Sequence, residues 1–295
     1  MDLLDDCSLC PRNCHINRNK GQVGACRETA DIVIARAALH QWEEPCISGK
    51  VGSGTVFFSG CPVGCVFCQN ASIARGERGR IITLQRLCDI FLELQEIGAN
   101  NINLVTPTHY VPQIIWAVSQ AKKEGLCIPI VYNTSGYEKV ETIRLLQGIV
   151  DIYLPDMKYK NIDVSKKYSH AEDYFIYASK ALAEMVRQIP TPVIDEQGMM
   201  KKGVIVRHML LPGQLEDAKS IIRYLYHTYQ DAIYISMMNQ YTPMPATQEY
   251  PELQHRVKKR AYDALLDYAI HLGIVNGFMQ EGGTALDSFI PSFEE

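Results

Sequence analysis

The sequence has no apolar run of the roughly 18–20 residues needed to cross a bilayer, so no membrane-spanning helix is expected. It has no basic excess either. Net charge is −4 with both signs mixed along the chain, which argues against nucleic acid as the main partner. The opening residues, MDLLDDCSLC, are acidic and polar with no apolar h-region, so they are not expected to be a signal peptide. Residues 1–30 carry little apolar content, too little to fold on burial alone. What the chain does have is ten cysteines. Without a secretion signal these point to a reducing compartment, the cytoplasm, and to metal ligation rather than disulfides. At 295 residues with 47% apolar and 21% charged content, the chain can bury a large core in one or two domains.

The cysteines fall in two groups. Cys61, Cys65 and Cys68 have the spacing C-x3-C-x2-C in a Gly-rich loop just after the apolar run Thr55-Val56-Phe57-Phe58. Three thiolates this close together can grip one face of a metal cluster, one short of the four that close a [4Fe–4S] cube, and an open iron can bind something else. The competing readings are a zinc site with a distant fourth ligand, or three unrelated cysteines. The second group is Cys7, Cys10, Cys14 and Cys26, set among the turn formers Pro11, Asn13, Asn17, Asn19, Gly21 and Gly24. Four cysteines suit a closed zinc site or a four-thiolate Fe–S cluster. Metal binding would supply about 10 kcal/mol that the missing core cannot. Arg12 and Arg18 either balance thiolate charge or are solvated. His15 reads as a surface residue and Cys46 as a small buried one.

From residue 54 the pattern alternates strand and helix. Strands are expected at 55–58, 102–105, 128–132, 151–154, 204–209 and 232–237, with a further short strand at 32–34. Helices are expected at 84–97 (capped by Thr83), 112–124, 137–146, 163–188, 215–228 and 252–272. Residues 191–202 read as a hairpin turning at Glu-Gln-Gly. Residues 277–295 show no clear period and read as a surface tail. Six β/α units imply an α/β fold with a parallel sheet, and ligands sit at the carboxyl ends of its strands. The expected division is 1–50 (Cys-rich metal-binding segment and bridge), 51–250 (main domain) and 251–295 (C-terminal helix and tail). In the bridge, Trp42 is expected to pack against the domain. Glu43 and Glu44 are either a solvated pair or part of the rim of the site.

The cysteine loop, with Phe67 before its last cysteine, resembles the signature of radical S-adenosylmethionine (AdoMet) enzymes. ARAALHQWEEPCISG, GSGTVFFSGC, CVFCQN, NINLVTPTHYVPQI, YNTSGYE, YLPDMKY, VIVRHMLLPG and MMNQYTP together resemble the PflX-like homologues of pyruvate formate-lyase activating enzyme, from about Cys7 to about Pro245. The resemblance implies a partial (β/α)6 barrel. It also implies a [4Fe–4S] cluster on Cys61, Cys65 and Cys68, with AdoMet on the open iron and flavodoxin or ferredoxin as electron donor. The implied activity is that of an oxidoreductase making a 5′-deoxyadenosyl radical. By analogy with the branch, the substrate would be a glycyl radical enzyme, with another protein, a peptide or a small molecule as alternatives.

Residues just past each strand are the remaining candidates. Phe67 is implied to lie near the adenine. The Gly-Gly-Glu that holds the AdoMet amino group in many relatives is absent, and Thr106, Thr108 or backbone carbonyls are implied to take its place. His109 reads equally as a substrate or proton-donor residue and as a hydrogen-bonded wall residue. Asn133 and Ser135 are implied to contact the AdoMet ribose or methionine, and Ser135 also suits a helix N-cap. Lys158 is implied to bind the AdoMet carboxylate, with Asp156 either orienting it or facing the substrate, against a plain surface ion pair. His208 is implied as an AdoMet neighbour, although alternation puts Arg207 and His208 on opposite faces. Gln240 and Tyr241 are assigned to the substrate pocket, with Tyr241 as core the competing reading. Two other function classes remain at this level. One is a non-catalytic two-cluster electron-transfer or redox-sensing protein; the other is a zinc-stabilised binding module.

Overall fold

The computed structural model describes residues 2–280, and the expected tail beyond Gln280 lies outside them. The first half of the chain forms α1 (Asp2–Asp5), β1 (Ile32–His40), α2 (Pro45–Ser48), β2 (Ser53–Phe58), α3 (Ala71–Ala74), β3 (Arg80–Ile82), α4 (Leu84–Glu96), β4 (Ile102–Val105), α5 (Val111–Lys123), β5 (Ile130–Thr134) and α6 (Val140–Leu145). The second half forms β6 (Ile152–Pro155), α7 (Ile162–Ser169), α8 (Tyr174–Gln188), β7 (Val193–Ile194), β8 (Met200–Met209), α9 (Leu215–Tyr229), β9 (Tyr234–Met238), α10 (Lys259–Leu272) and β10 (Gly277–Met279).

Among the described residues ten strands make one sheet, ordered β10-β9-β8-β6-β5-β4-β2-β1-β3, with β7 paired to β8. The run from β2 to β10 is parallel. β1 and β3 extend one end antiparallel. The path is open, because the two end strands are not paired with each other. The seventh parallel strand, β10, lies in the stretch expected to be a tail; three residues carry too little pattern to signal a strand, and pairing with β9 makes it one.

Register explains how the sheet divides its side chains. Val56, Leu104, Tyr132, Tyr153 and Val204 lie in one row and are fully buried under the helices. The next row runs Phe57, Val105, Asn133, Leu154 on the opposite face. That face has its own apolar floor of Val131, Ile152, Leu154 and Ile205, plugged by Cys46 and Ile47 of α2. Above the floor, toward the carboxyl ends, polar side chains take over.

Several boundaries moved for physical reasons. Thr83 caps α4 as expected, its Oγ1 accepting from Arg86 N at 3.1 Å. β5 starts at Ile130 rather than at 128 because Pro129 has no N–H for the ladder. This shift puts Asn133 and Thr134 inside the strand. The single helix expected at 163–188 is two: His170 ends α7 in the left-handed region (φ 47°), a break that no Gly or Pro announces. The final helix begins at Lys259, after a 3-10 turn at Pro251–Gln254. The expected borders at 50 and 250 both fall within one sheet, since β1 pairs with β2 and β10 with β9.

Candidate functional site

The carboxyl ends of the strands open into a cavity of about 640 Å³. Its wall includes Cys61, Cys65, Cys68, Phe67 and Asn70 from the loop after β2. The sulfurs are oriented by the loop's own backbone. Val63 N–H donates to Cys61 Sγ (3.4 Å), Asn70 N–H to Cys68 Sγ, and the Ser169 hydroxyl to Cys65 Sγ (2.9 Å). Burial pushes the Cys68 thiol up to about 12. Phe67 is 4% exposed and meets Tyr159, Tyr168 and Tyr241 edge-on at 6.3–6.4 Å, which fixes the loop's position.

The same cavity holds a buried ionic network. Arg207 Nε binds Asp156 Oδ1 (3.0 Å), its Nη1 binds Glu43 Oε2 (3.1 Å) and its Nη2 donates to Asn133 Oδ1 (2.5 Å). Lys158 Nζ donates to Asp156 Oδ2 at 2.5 Å. Burial pushes the Asp156 carboxyl up, but Lys158 and Arg207 outweigh it and hold the pKa below the usual range. The pair is therefore not a surface ion pair; both side chains are at most one-fifth exposed and both line the cavity. Glu43 is tied down further by the amides of Asn103 (2.9 Å) and Asn133 (3.3 Å). Glu44 beside it is buried, its Oε2 has no partner, and burial raises its pKa.

The backbone around this network is tightly specified. Gly136 has φ +79°, and a Cβ there would lie 2.1 Å from the Asp156 carbonyl oxygen, so only glycine lets the two loops meet. The Tyr174 hydroxyl lies 2.7 Å from the Ser135 carbonyl and 2.9 Å from that of Asp156, and accepts from Lys158 N–H (2.9 Å). Thr106 lines the cavity at φ +57°, a costly conformation for a β-branched residue and one that collects at functional sites.

The structure brings together at this cavity Phe67, Thr106, Asn133, Ser135, Asp156, Lys158 and Gln240 of the expected residues. The others lie elsewhere. Thr108 donates to Glu138 Oε1 (2.7 Å), a buried carboxyl that also accepts from Tyr132 and Thr134 and that burial raises to about 7. His109 packs beneath the loop, Nε2 on the Ser59 carbonyl (2.6 Å), and burial holds it neutral with a pKa near 3. His208 faces away from Arg207, as strand alternation requires, with Nδ1 on the Met157 carbonyl (2.8 Å). Tyr241 is core, its hydroxyl on the Leu253 carbonyl (2.7 Å). Ser135 caps no helix, since α6 starts at Val140. Trp42 does not pack inside: it is 56% exposed and lines the cavity. Sequence reasoning missed Arg207, Tyr174 and the β10 residues of the wall. Alternation pointed to one of the pair Arg207 and His208, and the acidic Glu43-Glu44 dipeptide was the available sign that the inward one is the arginine.

A second cavity of about 330 Å³ backs the same loop. Cys61, Cys65 and Cys68 line it together with Arg12, Arg27, Arg75 and His170.

An α/β domain with a parallel sheet and a three-cysteine loop at its carboxyl edge is thus the class that fold and site define. The chain is 28% identical over 277 residues to an uncharacterised protein of Methanocaldococcus jannaschii, covering 91% of this chain and 75% of that protein. Methylornithine synthase (PylB) shares the fold with a TM-score of 0.53 and 15% identity, over 74% of this chain and 60% of that one. Streptococcus suis SuiB bound to its precursor peptide SuiA gives 0.50 and 14%, over 76% and 47%. The chain therefore matches about half to three-fifths of the length of these two structures, and the likeness is one of fold. No family model matches the chain. Among the described residues no helix is long and apolar enough to cross a membrane.

Proposed function

We propose that the protein is a radical AdoMet enzyme, with the cavity at the carboxyl ends of a partial (β/α)6 barrel as its reaction chamber. The observation that carries this reading is that Cys61, Cys65 and Cys68 line the same cavity as a buried network of Lys158, Arg207, Asp156 and Glu43. The donor set fits a three-cysteine [4Fe–4S] cluster. The sulfurs receive N–H and O–H bonds that favour thiolate, and Lys158 adds positive charge near Cys61 and Cys68. Cys61, Cys65 and Cys68 would hold the cluster, and once reduced it would supply the one-electron reduction that cleaves AdoMet and starts hydrogen abstraction from the substrate.

The chain's own residues hold and shield the reactants. Lys158 presents an ammonium to the AdoMet carboxylate, steadied by Asp156. Asn133, Ser135 and the Thr106 hydroxyl offer donors and acceptors to the amino acid and ribose. Phe67 supplies an apolar wall for the adenine. Trp42 and Gln240 line the same cavity and would meet the substrate there. A glycyl radical enzyme or another protein or small molecule is the target class, and compartment and electron donor follow the same reading: the cytoplasm, and flavodoxin or ferredoxin.

The test is 5′-deoxyadenosine formation from AdoMet by anaerobically reconstituted, dithionite-reduced protein. Product above the level of protein-free controls supports the reading. A protein with full cluster content that neither forms product nor binds AdoMet would overturn it in favour of electron relay.

The basic rear cavity suits an acidic carrier protein by charge complementarity. Replacing Arg27 and Arg75 together by Glu should slow cleavage driven by reduced flavodoxin about tenfold or more at low salt. Dithionite-driven cleavage should be unchanged. Equal slowing with both reductants would place the effect in the loop itself.

A further inference from the structure

We infer that the Ser169 hydroxyl, backed by Tyr159 and held in place by Arg12, raises the reduction potential of the cluster site on the Cys61 loop. The inference deepens the reading above. It rests on the cluster in that reading and not on AdoMet cleavage.

The sulfurs of the loop take donors from two sources. Cys61 Sγ accepts from Val63 N–H at 3.4 Å, within the loop itself. Cys65 is met from outside: Ser169, 104 residues further on, places its Oγ 2.9 Å from Cys65 Sγ. The Tyr159 hydroxyl lies 2.7 Å from the same Oγ. Ser169 has one hydrogen and two neighbours. A ligating thiolate only accepts, so Ser169 gives its hydrogen to Cys65 and Tyr159 gives its own to Ser169. Ser169 is 0% exposed and Tyr159 1%, so no bulk water competes for either bond. In such a place successive hydrogen bonds polarise one another. The Tyr159 ring is fixed by edge contacts with Phe67 at 6.4 Å and Tyr174 at 5.2 Å.

Arg12 is the positioning residue. Ser169 closes α7, where the last carbonyls have no partner within the helix. Arg12 supplies one: Nη2 donates to the Ser169 carbonyl (3.0 Å) and Nη1 to that of His170 (2.6 Å). The same guanidinium reaches the cysteine loop, with Nε on the Pro62 carbonyl (2.8 Å) and Nη2 on that of Val63 (3.3 Å). Its plane sits 5.3 Å from the Tyr137 ring centroid. One side chain thus grips both Val63 and Ser169, the residues that donate to Cys61 and Cys65. A lysine has no planar fork with which to do this.

A packing role alone does not account for the arrangement. Burying two hydroxyls costs free energy unless both are bonded, and this chain of bonds ends on sulfur, a weak acceptor until it carries charge. Reduction adds negative charge to a cluster, and donors to its sulfurs stabilise that charge, so hydrogen bonds of this kind raise the potential. The site then accepts an electron from a weaker one-electron donor than it otherwise could.

The test is an EPR-monitored redox titration of the reconstituted full chain. It follows the signal that disappears in the variant Cys61→Ala/Cys65→Ala/Cys68→Ala. Ser169→Ala should keep its iron and make reduction about tenfold less favourable, a midpoint lower by about 59 mV for one electron. Tyr159→Phe should move the midpoint the same way by less. Arg12→Lys, which keeps the charge and loses the fork, should lower it too. An unchanged or raised midpoint in Ser169→Ala overturns the inference. Loss of the signal in both Ser169→Ala and Tyr159→Phe also overturns it, since the pair would then hold the loop rather than tune it. A parent with no signal that depends on the three cysteines removes the cluster reading itself, and this inference with it.

Discussion

Replacing Cys68 by Ala should abolish AdoMet cleavage and remove about one cluster of iron, while the fold survives. Cys68 lines both cavities. Its partners are a backbone amide and the other two cysteines, not the apolar core. Truncation therefore removes a ligand and little packing. Ligand loss leaves two thiolates on a cube already one short, and a fall in turnover to background is expected, well over 100-fold given what even indirect contacts to metal ligands are worth. Cys46→Ala is the control. Cys46 is 5% exposed in the apolar floor, so the change should cost on the order of 1–2 kcal/mol of stability and leave iron content unaltered. Cleavage retained in the Cys68 variant would remove the cysteine loop from the reaction.

The second large effect is expected at Arg207. Its guanidinium, 16% exposed, is the shared partner of Asp156, Glu43 and Asn133. Arg207→Met keeps much of the stem but leaves two buried carboxylates short of a cation. Breaking a buried pair in this way costs about 3 kcal/mol or more. For a domain of this size that is a fall in Tm of roughly 5–10 °C. The pH dependence follows from the sign of the Asp156 shift. Its pKa is depressed in the folded protein, so its ionised contacts stabilise above the unfolded value near 4 and that stability is lost as pH falls through the folded value. Without Arg207 the depression shrinks, and the variant should lose less stability than the parent on going from pH 6 to pH 3. Differential scanning calorimetry across that range checks both points. A variant with unchanged Tm at pH 7, or one that parallels the parent through acid, would show that the network does not hold the site together. AdoMet affinity should drop as well, since Asp156, released from Arg207, would draw Lys158 away from the ligand.

Much of the fold was legible because parallel strands buried on both faces read as apolar runs and the helices between them bury periodic apolar faces, with Thr83 capping α4. β4 appears at its expected residues, and α4, α5 and α9 to within one at either end. What failed were features whose cause lies outside the local window. β10 is a strand only because β9 offers it an edge. His170 breaks a helix without a breaker residue because its left-handed turn lets its carbonyl meet Arg12 (2.6 Å) from 158 residues away.

The sequence by itself determined where the cysteines fall. The spacing of Cys61, Cys65 and Cys68 after a strand is a local property of a dozen residues, and so is the apolar poverty of residues 1–30. The polar half of the site was decided by the tertiary structure. Which of Arg207 and His208 faces inward depends on the register of β8 against β6 and β9, and its partners come from positions 43, 133 and 156. No periodicity links those positions. They meet because parallel strands end together and a buried cation has to find anions wherever the sheet brings them.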